Sequence, residues 1–322
     1  MLYDRVASNV RRTYALMFVF TALVAAVGLA AGLLLGIGYW GIMIALGISL
    51  AMTWGSYYNS DRIALSMSRA QPADETRDAR LHNIVEGLSL AAGLPKPGVY
   101  VVDDEAPNAF ATGRNPEHAA VAVTTGLMKK LSRDELEGVV AHELAHVKNR
   151  DTLVMTISVT LIGTVVLAAD FMFRAFLWGG MGRRGRGRGG SNPVGLVLML
   201  VAVGLLILSP FIARLLHFAI SRRREYLADA DAVLLTRYPD GLIGALEKLK
   251  ADKTVVRSAS RATAHLWIES PIDNAANSRR QKPRAWLNGL FNTHPPLDDR
   301  IAALRGITGG VGLGSAAGRV GS

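Results

Sequence analysis

Two histidines four residues apart, His142 and His146, flank Glu143 in Ala141-His142-Glu143-Leu144-Ala145-His146. On an α-helix residues i and i+4 stand one turn apart on the same face, so both imidazoles can reach one divalent metal. Glu143, rotated to the side, can reach a water at that metal and act as its general base. The setting supports a helix: Ser132-Arg133-Asp134-Glu135 has the form of a capping box. Leu136, Val139, Val140, Leu144 and Val147 follow at helical spacing.

A catalytic zinc takes three protein ligands and keeps a position for water. His82, His118, His217, His265, His294 and the carboxylates are all candidates for the third ligand. Glu225, in Ser221-Arg222-Arg223-Arg224-Glu225-Tyr226-Leu227-Ala228-Asp229, is favoured because it starts directly after a long apolar segment. A hairpin of two membrane spans would return it to His142 and His146. Asp229, four residues further on, can accept a hydrogen bond from the far nitrogen of a ligand histidine and so fix its tautomer.

The elements that must position these groups follow from composition. The 322 residues are 50% hydrophobic and only 19% charged, and the apolar residues are gathered into segments. No cysteine is present, which excludes thiolate metal sites and disulfides. The net charge of +10 does not form a basic, aromatic-interleaved domain, so no nucleic-acid partner is expected. Many of the positive residues border apolar segments and fit a lipid surface.

Residues 1–60 are read as an amino-terminal region with two transmembrane helices, because no charge occurs from Thr13 to Ser60. Gly36-Ile37-Gly38 divides them. A cleaved signal peptide would have one shorter apolar region. Residues 61–151 form a first soluble half, with a helical pattern over Glu75–Leu90, strands at Gly98–Val102 and Ala119–Thr124, and the H-E-x-x-H helix. Residues 152–220 carry two further apolar segments around a Gly/Arg-rich loop at 179–192. Residues 221–305 read as a second, mostly helical soluble half, and the Gly-rich 306–322 as a disordered tail. Two crossings between His146 and Glu225 place both halves on one side. The positive-inside tendency makes that side the cytoplasm. The expected fold class is α+β and mostly helical: a four-span membrane protein with a cytoplasmic zincin-like domain and a small β-sheet.

The His142-Glu143-x-x-His146 pattern, Arg222-x-Arg224-Glu225-Tyr226-x-Ala228-Asp229, Asn108-Ala109-Phe110-Ala111-Thr112-Gly113 and Thr293-His294-Pro295-Pro296 together resemble the HtpX-type membrane zinc metalloproteases. These are part of the same broader family as the CAAX prenyl endopeptidases, and the resemblance covers nearly the whole chain. It implies His142, His146 and Glu225 as ligands of one Zn2+ per chain, Glu143 as base and Asp229 as orienter of a ligand histidine. It further implies an edge strand whose Asn108, Ala109 and Phe110 meet the substrate backbone, with His294 or Arg222 holding the oxyanion. The implied activity is zinc endopeptidase action on unfolded or membrane proteins, as quality control, in the plasma (inner) membrane. The alternatives are a prenyl-protein endopeptidase and a membrane scaffold with a structural metal. The resemblance does not account for the Gly/Arg-rich loop.

Overall fold

The computed structural model describes residues 2–34, 39–157, 204, 222–254, 256, 266–268 and 295–316. Two helices open the chain, α1 (Leu2–Leu34) and α2 (Trp40–Tyr58), and they pack against each other. A short helix α3 (Ser60–Met67) leads into the strand β1 (Gln71–Pro72) and the helix α4 (Ala79–Ala92). Strands β2 (Gly98–Val102), β3 (Ala109–Gly113) and β4 (Ala119–Thr124) follow, then α5 (Thr125–Lys130) and α6 (Arg133–Lys148). Beyond a helical run at 151–157, the described residues resume with α7 (Arg222–Thr236), α8 (Pro239–Ala251) and α9 (Leu297–Ala316). The result is mostly helical with one small sheet.

The sheet order is β1-β2-β4-β3, with β2 parallel to β4 and β3 antiparallel to it. β4 is central and all six of its residues are buried. Alternation along the strands divides the sheet into two apolar faces. Val99, Val101, Ala109, Ala111, Val121 and Val123 pack with α4, α6 and α8. Val102, Phe110, Ala120 and Ala122 pack on the opposite face with Ala64, Leu65 and Met155. β1, a two-residue edge strand ending in Pro72, has no apolar run to announce it. Proline is tolerated there because an edge strand need not donate on its open side.

The capping box at Ser132 is formed. Its hydroxyl accepts from Glu135 N–H at 3.3 Å, and Glu135 accepts from Ser132 N–H at 2.6 Å. α6 then runs through the core, held close to α8 by two glycines. A Cβ on Gly138 would stand 2.7 Å from the Leu242 backbone nitrogen, and one on Gly241 would stand 2.6 Å from the Asp134 carbonyl.

The stretch from residue 306, read as a disordered tail, is helical to Ala316. Arg300, Ile301 and Leu304 are buried and anchor α9. That anchored nucleus carries helix through glycines whose propensity alone opposes it by about 1 kcal/mol each. Among the described residues no helix is long and apolar enough to cross a membrane. Apart from residues 152–157 and 204, the expected third and fourth spans and the Gly/Arg-rich loop lie outside the described residues.

Candidate metal centre

α6 supplies His142, Glu143 and His146, and α7 supplies Glu225 and Asp229. All five are buried, none more than 4% exposed. The two imidazoles present their Nε2 atoms to each other at 3.2 Å. Glu225 faces both, with Oε2 3.7 Å from His142 Nε2 and Oε1 3.6 Å from His146 Nε2. One ligand atom from each of the three residues falls within a 4.8 Å cluster.

The far sides of the rings are equally defined. His142 Nδ1 lies 2.9 Å from Asp229 Oδ1, and His146 Nδ1 lies 3.2 Å from Asp151 Oδ2. A carboxylate only accepts, so each Nδ1 carries the proton and each Nε2 turns a lone pair inward. Two imidazole nitrogens and a carboxylate converging on one point favour a cation. The Arg300 guanidinium borders the group, with Nη1 3.6 Å from Glu225 Oε2, and the donor set itself, two imidazoles and a carboxylate, fits a divalent metal. Without a metal a proton takes that role. Burial and the Arg300 charge oppose protonation of His142, but hydrogen bonds to Asp229 and Glu225 outweigh them and raise its pKa to about 9.

Glu143 sits beside the pair. Burial pushes its pKa above the ordinary carboxylate range, with the neighbouring histidines and a hydrogen bond from the Ala111 backbone holding it down in part. A carboxylate so placed is poised to accept a proton.

Arg300, from α9, is a participant that sequence reasoning misses. It is fully buried and grips Asp229 with two bonds, Nε to Oδ2 at 2.9 Å and Nη2 to Oδ1 at 2.6 Å. Its Nη1 donates to the Ile268 carbonyl at 3.3 Å. Burial raises the Asp229 pKa, but the charge and hydrogen bonds of Arg300 together with those of His142 outweigh it and bring it to about 2. A charged residue on the apolar face that carries Ile301 and Leu304 is the signal that could have found it. Asp151 is the second, and its signal is an acid directly after the ligand helix.

The remaining candidates fall as follows. β3 is an edge strand, and Ala109 and Ala111 turn backbone groups away from β4. The Ala109 carbonyl accepts from Ile268 N–H at 2.9 Å, and Ala111 N–H reaches Glu143. Phe110 points to the other face of the sheet, where it meets Trp267 edge-on with ring centroids 4.7 Å apart. The Asn108 side chain is buried, and its Oδ1 accepts from Ala109 N–H at 3.0 Å. Arg224 is buried, with Nη1 3.3 Å from Asp151 Oδ1. His294 and the side chain of Arg222 lie outside the described residues.

Residues 75–308 match the family model described as Peptidase family M48. The Protease HtpX homolog of Caldanaerobacter subterraneus subsp. tengcongensis is 41% identical over 307 residues, spanning 95% of this chain and 98% of that protein. The Protease HtpX homolog of Tropheryma whipplei is 42% identical over 305 residues, again 95% of this chain and 98% of that protein. The crystal structure of S. mikatae Ste24p aligns over 94% of this chain and 67% of that one, at 20% identity and a TM-score of 0.46.

Proposed function

This chain belongs to peptidase family M48 and is a metalloprotease; on that premise we propose that it is a zinc endopeptidase anchored in a membrane, with His142, His146 and Glu225 as the metal ligands and Glu143 as the base. The observation that carries the reading is the convergence of two Nε2 atoms and a carboxylate, with both Nδ1 atoms held by acids. Two nitrogens on a tetrahedral zinc at ~2.0–2.1 Å stand about 3.3 Å apart. The 3.2 Å between the two Nε2 atoms suits that ion.

Zinc, when bound, supplies a Lewis acid that lowers the pKa of a water toward neutrality and polarises the scissile carbonyl. Glu143 takes a proton from the attacking water and returns it to the leaving amine. Asp229 and Asp151 hold the two rings in the tautomer that turns Nε2 inward. β3 is an edge strand, and an extended peptide would pair with it through backbone hydrogen bonds once the bonds of Ala109 to Ile268 and of Ala111 to Glu143 give way. That mode selects for unfolded chain rather than for one side chain. His294 and Arg222 are the candidate donors to the oxyanion.

The membrane part rests on separate observations. No charge occurs between Thr13 and Ser60. On α1 and α2, Phe18, Trp40, Met43, Ile44 and Ile48 all stand more than half exposed. An open apolar surface of that size is unfavourable in water and favourable in lipid. Four spans, with both soluble halves and the metal site on the cytoplasmic side of the plasma membrane, follow the positive-inside tendency at Arg11, Arg12, Arg62, Arg150 and Arg222. Arg183, Arg184, Arg186 and Arg188 of the 179–192 loop fall on the outer side against it. The substrates proposed are unfolded and membrane proteins, cleaved as quality control.

The test is cleavage of an unfolded soluble protein by the whole chain in detergent. Cleavage should vanish with a chelator and return on adding zinc. Cleavage that persists in saturating chelator would overturn the reading.

A further inference from the structure

The amino-terminal helix reaches the metal site through one side chain. Asn9 lies on α1 and is 5% exposed. Its Nδ2 donates one hydrogen bond to the Asn149 carbonyl at 2.9 Å and another to Asp151 Oδ1 at 2.8 Å. A side-chain amide has two N–H donors, and both are used here. Asn149 is the C-cap of α6, so the first bond closes a carbonyl at the end of the helix that carries both histidines. The second pins one oxygen of Asp151, whose other oxygen, Oδ2, stands 3.2 Å from His146 Nδ1.

We propose that Asn9 is a positioning residue of the metal centre, which makes α1 a working part of the site and not only an anchor. Asp151 is met by His146 on Oδ2 and by Asn9 and Arg224 on Oδ1. Of the two on Oδ1, Asn9 is the closer, at 2.8 Å against 3.3 Å, and it supplies a directed hydrogen bond. A carboxylate is free to rotate about its Cβ–Cγ bond unless one oxygen is fixed. With Oδ1 fixed by Asn9, Oδ2 faces His146 and the imidazole is held with Nε2 toward His142 and Glu225. Asn9 and Asp151 are 142 residues apart in sequence, so the link forms only when α1 has docked on the protease core. A chain whose α1 is misplaced therefore holds metal poorly, which couples correct insertion of the amino terminus to activity.

The inference rests on the reading that His142, His146 and Glu225 hold zinc. It is tested by zinc affinity, measured on the full chain in detergent by competition with a chelating indicator. The variants are Asn9→Ala, Asn9→Asp, Asp151→Asn, the Asn9→Ala/Asp151→Asn pair and the control Thr13→Val. Thr13 is also buried on α1, but its hydroxyl donates only to the Asn9 carbonyl one turn back. Loss of an outer partner of a metal ligand costs on the order of 10–100-fold in metal affinity. Asn9→Ala should weaken zinc about tenfold or more, Asn9→Asp at least as much, and Thr13→Val by less than about twofold. The paired variant should be no weaker than Asp151→Asn alone, because the two act in series. Three results would overturn the inference while leaving the metal site intact: unchanged affinity in Asn9→Ala, equal loss in Thr13→Val, or fully additive losses in the pair. No zinc uptake by the unaltered chain would overturn the metal reading and this inference with it.

Discussion

Asp229 is the residue on which two demands meet: it must face His142 Nδ1, and it must stay ionised in a buried setting. Arg300 meets both, since its two bonds fix the carboxylate and its charge keeps the proton off. Arg300→Met leaves Asp229 buried without its partner charge, which should cost about 3–5 kcal/mol of stability, read by chemical denaturation. The Arg300→Met/Asp229→Leu pair should recover much of that stability, because an apolar pair replaces an ionic one. It should not recover zinc affinity, because His142 has then lost its acceptor. Recovery of both would show that Asp229 has no part in orienting the ring. At this scale the sequence is informative where partners are close in the chain or where a motif marks them, as it does Glu225. His142 and His146 are legible because i and i+4 face the same way, and Asp229 is legible from its place one turn after Glu225. The contacts of Arg300 with Asp229 and of Asn9 with Asp151 span 71 and 142 residues, and no local period encodes them.

The elements are legible to the extent that their signals are local. The capping box at Ser132 and the apolar runs of β2 and β4 announce themselves, whereas the order β1-β2-β4-β3 does not, because pairing is a property of the folded sheet. The close approach of α6 and α8 is equally invisible from sequence, since a glycine within a helical pattern reads as a mild weakness. Gly138→Ala should gain about 1 kcal/mol in helix propensity. The steric cost of overpacking, about 1–3 kcal/mol, should outweigh it, with the Cβ 2.7 Å from the Leu242 nitrogen. A rise in melting temperature would contradict the packing described. The start of α6 also carries a pH dependence. Burial opposes ionisation of Glu135, but Lys248 and the Ser132 backbone N–H outweigh it and hold the pKa below its ordinary value. A folded pKa below the unfolded one gives stability that is present above the unfolded value and is lost as pH falls through the folded one. Stability should therefore fall on acidification below the ordinary glutamate range, and Glu135→Gln should flatten that part of the profile. An unchanged acid limb in the variant would count against the cap as its source.

At the scale of the whole molecule the account joins a protease core to apolar helices through buried polar links. Thr112 on β3 meets Thr156 at 3.0 Å, and Asn9 on α1 meets Asp151. The proposed topology predicts that a tag in the 179–192 loop is cleaved by protease added to intact cells and protected in inverted vesicles, while a tag at the carboxyl terminus behaves oppositely. Both tags on one side would rule out a full crossing between them. Sequence carries this level through charge-free runs and the placement of arginines, which report a solvent rather than a set of contacts.

The central claim is that His142, His146 and Glu225 hold one zinc while Glu143 does the proton transfer. The most direct test is Glu143→Gln in the purified chain, with zinc content and cleavage of an unfolded protein measured on the same sample. The substitution keeps shape and polarity but removes the base. The account predicts one zinc per chain, as in the unaltered chain, and a loss of turnover of at least about 10²-fold. Near-normal cleavage by Glu143→Gln would contradict it.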